Sequence, residues 1–173
     1  MVEVILTVFA LLAVVLAVAF AVVQVRLIRR GRSPVVTRLE ADLAEALEND
    51  YLEGPPSVRL RSVENGVVPT VRLDLDMATP PSGSLTFDYV ADVLETLHPA
   101  AEGLEAAHYA IEFTFGPDGL FVSGPCQRVA VTLEQAAAVC DQPGFGPTKL
   151  QRAVEAGDDG DDDTPPVRWG PCR

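Results

Sequence analysis

An uncharged apolar run near the start of the chain constrains its fold most strongly. Val4–Val25 contains 22 residues without a charged side chain, and only Thr7 and Gln24 within it are polar. At 1.5 Å rise per residue, about 20 apolar residues in a helix cross the hydrocarbon core of a bilayer. The sequence therefore predicts one membrane-spanning helix, with the lipid bilayer as a partner through Val4–Val25.

A cleaved signal peptide is the alternative for this segment. Such peptides place basic residues before an apolar run of about 7–15 residues. Here Glu3 precedes the run, the run is longer, and the small-residue triplets at 17–19 and 19–21 lie inside it. The sequence favours a retained anchor.

The charges that flank the run predict its orientation. Five arginines follow it and no Lys or Arg precedes it: Arg26, Arg29, Arg30, Arg32 and Arg38. Positively charged flanks of membrane helices remain in the cytoplasm. We therefore expect a single-pass protein of the cell membrane, with its N-terminus outside and its C-terminal domain in the cytoplasm.

Charge also divides the chain into an anchor with its basic flank (1–32), an acidic domain (33–157) and a tail (158–173). Beyond Arg38 there are 24 acidic and 8 basic residues, a net charge of −16. That charge repels phosphate backbones, so we expect no nucleic-acid partner. The tail begins with the acidic run Asp158–Asp163 and continues Pro-rich, a composition typical of disorder.

The basic residues are almost all arginine, because only Lys149 among 13 is a lysine. Abundant Asp and Glu with so little Lys resembles the composition of proteins from salt-loving archaea. At molar salt the Debye length is about 3 Å, so repulsion between surface carboxylates costs little. An ordinary acidic protein from a GC-rich genome is the alternative, and the sequence favours the halophile-like interpretation.

Helical spacing and strand alternation predict the first half of the domain. Leu39, Leu43 and Leu47 predict an amphipathic helix, and Thr37 with Glu40 matches a capping box at its start. Alternating apolar residues then predict two strands joined by a tight turn at residues 65–66. That register pairs three sets of residues: Leu60 with Val71, Val58 with Leu73, and, unfavourably, Arg59 with Arg72.

The second half is predicted in the same way. A helix starts near Ser84, carries an apolar stripe and stops at Pro99; its stripe is Phe87, Val90, Leu94 and Leu97. Tyr109–Phe115 and a return strand at 120–122 predict a second hairpin, placed centrally because it is the most aromatic. A fifth short strand (128–132), a capped helix from Thr132 and a last helix to about Ala156 follow. The order favours an α+β fold: a small antiparallel sheet of about 4–5 strands with helices on one face.

No residue pattern indicates a catalytic, cofactor or metal site. The three cysteines, Cys126, Cys140 and Cys172, follow no recognisable spacing, so no disulfide framework is expected, and reduced thiols suit a cytoplasmic domain. Zinc sites usually contain close Cys or His pairs, whereas His98 and His108 are ten residues apart. The acidic run lacks the order of a calcium loop, and residues 144–149 and 123–126 lack phosphate-loop and nucleophile motifs.

These observations predict a non-enzymatic, membrane-tethered cytoplasmic interaction module with an unidentified protein partner. The first alternative is a ligand-binding or enzymatic domain whose site assembles only in three dimensions, from His98, His108 or Cys126 with a carboxylate such as Asp76 or Glu112. The second is an accessory subunit of a membrane complex, since small residues recur every fourth position of the span, at Ala13, Ala17 and Ala21. The single tryptophan, Trp169, contacts a partner, folds back on the domain or lies at the membrane interface.

Overall fold

The computed structural model describes residues 33–47, 51–116, 125–158 and 169–172. Four helices and five strands occur in these ranges. In chain order they are α1 (Pro34–Ala46), β1 (Ser57–Val63), β2 (Gly66–Asp74), α2 (Gly83–Ala100), β3 (Tyr109–Thr114), β4 (Cys126–Val131), α3 (Leu133–Asp141), α4 (Pro147–Asp158) and β5 (Trp169–Pro171). The strands form one sheet in the order β1-β2-β3-β4-β5.

The sheet is mixed, which corrects the fully antiparallel arrangement predicted above. β2 and β3 are parallel, and the other neighbouring pairs are antiparallel. The difference arises because the 18-residue helix α2 crosses over between β2 and β3 and returns the chain to the same end of the sheet. β3 is the central strand, and its antiparallel neighbour is β4, the predicted fifth strand. The predicted return strand at 120–122 lies outside the described residues.

The first hairpin is confirmed, but its register differs by two residues from the prediction. Val58 pairs with Val71, and Val63 with Gly66, so the turn is Glu64-Asn65. A shift of two keeps every side chain on its predicted face. It also places Arg59 opposite Thr70, so the predicted repulsion between two facing arginines does not occur.

Apolar side chains of all four helices pack in one core cluster with one face of the sheet, as predicted. The largest fully buried members include Phe87 and Leu94 from α2, Leu43 from α1, Leu150 from α4 and Phe113 from β3. The stripe predicted for α2 is buried throughout. α2 continues one residue past Pro99, and Ser82 caps its start.

The two predicted capping boxes have different outcomes. At α3, the Thr132 and Gln135 side chains each bond the other's backbone N–H, as the pattern predicts. At α1 the prediction is wrong, because the helix begins at Pro34, a residue suited to a first helical position. The Glu40 carboxylate instead accepts a hydrogen bond from the backbone N–H of Val58 at 3.1 Å, on the edge strand β1.

Residues 169–172 of the tail are ordered where the sequence predicts disorder. Trp169–Pro171 forms β5 on β4, and the Trp169 ring lies edge-on to Phe87 with centroids 4.9 Å apart. Of the three possibilities for Trp169, the structure shows the one in which it folds back on the domain. The contact of the Trp169 ring with Phe87 and the pairing of β5 with β4 offset the entropy lost on ordering these residues, whereas composition averages over the whole tail. Residues 159–168 lie outside the described residues.

The predicted anchor Val4–Val25 and its basic flank also lie outside the described residues. Within the described ranges, every helix is too short or too polar to cross a bilayer. The anchor and the halophile-like composition therefore remain predictions from the sequence.

Candidate binding surface on the second face of the sheet

The face of the sheet opposite the core cluster carries most of the charged strand residues. Successive strand side chains point to opposite faces, so core residues such as Ile111 and Val129 alternate with Glu112 and Arg128. We call this surface the arginine face. It comprises Arg59 and Arg61 from β1, Arg72 and Asp74 from β2, Glu112 from β3 and Arg128 from β4.

The arginine face has the opposite charge to the rest of the domain. It holds four of the eight basic residues that follow Arg38 and two of the 24 acidic ones. Its formal charge is therefore +2 in a region whose net charge is −16. The sequence contained the alternating arginines of the first hairpin, but Arg128 is distant in the chain and joins them only through strand pairing.

Strand pairing places opposite charges next to each other across the middle of this face. Arg72 is paired in register with Glu112, and Glu112 with Arg128. Arg72 also forms an ion pair with Asp74, with 2.9 Å between Nε and Oδ1. Burial raises the pKa of Asp74, but hydrogen bonds from Thr114 and Arg72 and the charge of Arg72 outweigh burial, so the pKa lies below its usual value. The negative charge of Asp74 therefore offsets the charge of Arg72 more than it offsets the charges of the other three arginines.

Arg128 has an incompletely satisfied guanidinium. Its Nε is buried and has no hydrogen-bond partner. Burial and the nearby charge of Arg61 lower the pKa of Arg128, and Glu112 partly opposes that effect. An arginine remains charged despite such a shift. A buried donor without an acceptor is costly, which distinguishes Arg128 from the exposed Arg59 and Arg61 of this face.

His108 adds a second unsatisfied group at the end of the same face. The residue is 6% exposed, and neither of its ring nitrogens has a hydrogen-bond partner. Burial, then the charges of Arg128 and Arg61, lower its pKa. His108 is therefore neutral at pH 7, where one ring nitrogen is a donor and the other an acceptor.

Small side chains lie between the basic groups. Val68, Ala110 and Ala130 are fully buried but do not belong to the core cluster below the helices. Ala110 and Ala130 are directly opposite each other, one step along the strands from the Glu112–Arg128 pair. Their complete burial means that other parts of the protein already cover the sheet at this point.

A disulfide between Cys126 and Cys172 borders the arginine face. It links β4 to the residue after β5, across a Cα–Cα distance of 5.4 Å that is normal for this bond. This corrects the expectation of reduced thiols for Cys126 and Cys172, whereas Cys140 is free. The two cysteines are 46 residues apart in the chain, so their spacing contained no signal of their proximity.

The structure brings together only part of the ligand-binding or enzymatic site that the sequence offers as an alternative. Glu112 and Cys126 are close, with possible ligand atoms within 4.8 Å. His98 lies instead on the core side, where its Nδ1 is 3.0 Å from the Tyr109 hydroxyl. Asp76 is exposed beyond the end of β2. His108 shares the arginine face but is next to Arg61 and Arg128 rather than a carboxylate.

A groove of about 370 Å³ between α2, α3 and the following loop includes the third cysteine, Cys140. Burial and the charges of Asp141 and Glu95, which also line the groove, raise the pKa of the Cys140 thiol. The thiol hydrogen-bonds the Leu94 carbonyl at 3.6 Å. A protonated thiol between acidic residues suits neither a nucleophile nor an anion site.

The groups on the arginine face suit binding rather than catalysis. Guanidinium groups donate paired hydrogen bonds to carboxylate or phosphate oxygens. No family model, no curated protein and no solved structure matches this chain.

One prediction concerns His108. We expect His108→Phe to reduce the loss of stability between pH 7.5 and 5.5. The folded-state pKa is lowered, so the unfolded chain binds the additional proton as pH falls through about 6.5. The stabilising contribution is complete above that value and is lost below it, at up to about 1.4 kcal/mol per pH unit. Denaturant unfolding at several pH values measures how the free energy of unfolding changes with pH, with His98→Phe as the control. The prediction is contradicted if the free energy of unfolding falls equally steeply with pH in His108→Phe and in the unmodified protein.

Proposed function

We propose that this chain is a membrane-tethered interaction module, not an enzyme, and that its arginine face binds an acidic segment of a cytoplasmic protein. The supporting observation is the concentration of basic groups on that face, where Arg59 and Arg61 are exposed to solvent. Asp74 and Glu112 offset only two of the four arginines on this face, so carboxylate side chains of a partner would offset the remaining charge.

Charge complementarity favours a short acidic segment over a long polyanion. Outside the arginine face, the region beyond Arg38 has 4 basic and 22 acidic residues. A nucleic acid that extended past the arginine face would meet this negative surface, and the same applies to an anionic membrane. A few carboxylates on a peptide contact only the positive region. Such complementarity contributes mainly to specificity and to the rate of association.

The geometry of the sheet suits an extended or helical segment lying across the strands. The basic residues come from β1, β2 and β4, so they span most of the width of the sheet. Adjacent strands are about 4.8 Å apart, so β1 and β4 are separated by roughly 14 Å. Two carboxylate side chains that are about four residues apart in an extended peptide would cover that distance.

The tether in this proposal rests on the sequence. Val4–Val25 has the length of a membrane span, and its C-terminal flank is basic. An anchored domain would recruit its partner to the cytoplasmic surface of the membrane. Restricting both proteins to that surface raises their effective concentration, so a modest affinity suffices.

A charge-reversal experiment tests the proposal on the full-length protein in detergent. The double variant Arg61→Glu/Arg128→Glu should bind a fluorescent Glu-rich peptide at least ten times more weakly than the unmodified protein. The matched control is Lys149→Glu/Arg152→Glu on α4, which changes the net charge equally but leaves the arginine face intact. A Gln-rich peptide of the same length controls for binding without charge.

A second measurement addresses the cellular partner. Photo-crosslinkers placed at Arg59 should capture an acidic protein from native membranes, and the crosslinks should map to an acidic segment of that protein. The same capture should persist in the α4 control and disappear in the arginine-face variant. Equal peptide binding by all variants, or crosslinks that map only to basic or apolar segments, would overturn the proposal.

A further inference from the structure

Glu112, Cys126 and Cys172 form a compact group of side chains at the border of the arginine face, to which Glu112 also belongs. They come from β3, from β4 and from the residue after β5. One oxygen of the carboxylate and the two sulfur atoms all lie within 4.8 Å of one another, and all three residues are half-buried. Cysteine sulfurs and carboxylate oxygens are both ligands that zinc binds in proteins.

The strand ladder holds the two cysteines together independently of the bond between their sulfurs. The backbone N–H of Cys172 donates to the Cys126 carbonyl at 3.2 Å, and β5 continues the pairing with β4 over three residues. Trp169 on β5 is packed against Phe87, which fixes the strand to the core. Reduction of the disulfide would therefore leave two thiols close together.

The cytoplasmic position predicted from the basic flank favours that reduced form. Cytoplasmic dithiols keep most protein cysteines reduced. In the exchange, one dithiol transfers two electrons and two protons to the Cys126–Cys172 bond and itself becomes a disulfide. The products are two adjacent thiols beside the Glu112 carboxylate.

We propose that the reduced protein binds one Zn²⁺ ion through Cys126 Sγ, Cys172 Sγ and a carboxylate oxygen of Glu112, with water as a fourth ligand. Each thiol releases its proton to solvent as its sulfur binds the metal. Two thiolates and a carboxylate carry three negative charges against two on the ion. Arg128, directly opposite Glu112 in the register, offsets the remaining charge.

The donor set selects the metal. Calcium and magnesium bind six or more oxygen ligands or several waters, whereas thiolates prefer zinc and other soft or borderline ions. Cys140 does not belong to the site, because it is on α3 and its thiol bonds the Leu94 carbonyl. It therefore provides an internal control for nonspecific binding through a thiol.

The ion would perform in reducing surroundings the structural role that the disulfide performs in oxidising ones. Either link joins the end of the chain to β4 and thereby retains Trp169 on the core. The zinc link adds β3 through Glu112, so it connects three neighbouring strands of the sheet.

Cobalt binding tests the site, since Co²⁺ replaces zinc and absorbs visibly when bound by thiolates. The full-length protein is reduced with dithiothreitol, which is then removed without oxygen, and Co²⁺ is added. We expect one equivalent of Co²⁺ with a thiolate-to-cobalt absorption band, lost when Zn²⁺ is added. The oxidised protein should show no such band.

Variants identify the ligands. Cys126→Ser and Cys172→Ser should each abolish the one-equivalent band, Glu112→Gln should weaken binding at least tenfold, and Cys140→Ser should change neither. Circular dichroism confirms that each variant is folded, and Cys172→Ser near the end of the chain is the least disruptive. The proposal is overturned if the reduced protein shows no band, or if the band survives in Cys172→Ser. Neither result bears on peptide binding by the arginine face.

Discussion

Replacing Phe87 with alanine is expected to lower the free energy of unfolding by about 3–5 kcal/mol. Phe87 is fully buried in α2 and its ring contacts that of Trp169. The substitution removes the apolar surface of one ring and leaves a cavity beneath the other. Chemical denaturation followed by circular dichroism measures the change.

A matched control and a double variant distinguish this contact from a general effect of truncation. Leu133→Ala removes a large apolar side chain that is 38% exposed on α3, so it should cost under about 1 kcal/mol. The double variant Phe87→Ala/Trp169→Ala should lose less free energy of unfolding than the two single variants lose together, because both changes disrupt the same contact. Strict additivity would show that β5 does not dock on Phe87 as described, and equal losses for Phe87→Ala and Leu133→Ala would contradict the burial of Phe87.

Gly66→Val is the second large effect, at about 2–4 kcal/mol of destabilisation. Gly66 begins β2 with a φ of +132°, a region that residues with a side chain rarely adopt. A Cβ at this position would also collide with the Glu105 carbonyl oxygen, which accepts the Val67 N–H at 2.8 Å. The added side chain therefore disturbs both the hairpin and the start of the parallel pairing between β2 and the segment before β3.

Gly54→Val is the control for that substitution. It introduces the same side chain at a glycine whose surroundings are open, with no heavy atom within 4 Å of an added Cβ and no positive φ. The melting temperature of Gly54→Val should stay close to that of the unmodified protein, whereas that of Gly66→Val should fall by several degrees. Similar melting temperatures for both variants would mean that the close approach at Gly66 is not required.

Local patterns in the sequence determined most of the individual elements. Leu39 and Leu43 recur at helical spacing and are buried in α1, and the cap at Thr132 begins α3 where its residues indicate. The alternation over Tyr109–Thr114 predicted β3. These signals depend on residues within a few positions of one another, where helical or strand geometry alone fixes which side chains share a face.

Only the tertiary structure decided how the elements pair. The parallel contact between β2 and β3 results from the crossover of α2, and the register of the first hairpin differs by two residues from the one that the turn residues predict. The arginine face and the Cys126–Cys172 pair combine residues that are distant in the chain. Their proximity depends on nonlocal hydrogen bonding and core packing, which bring together residues whose sequence spacing contains no signal of contact.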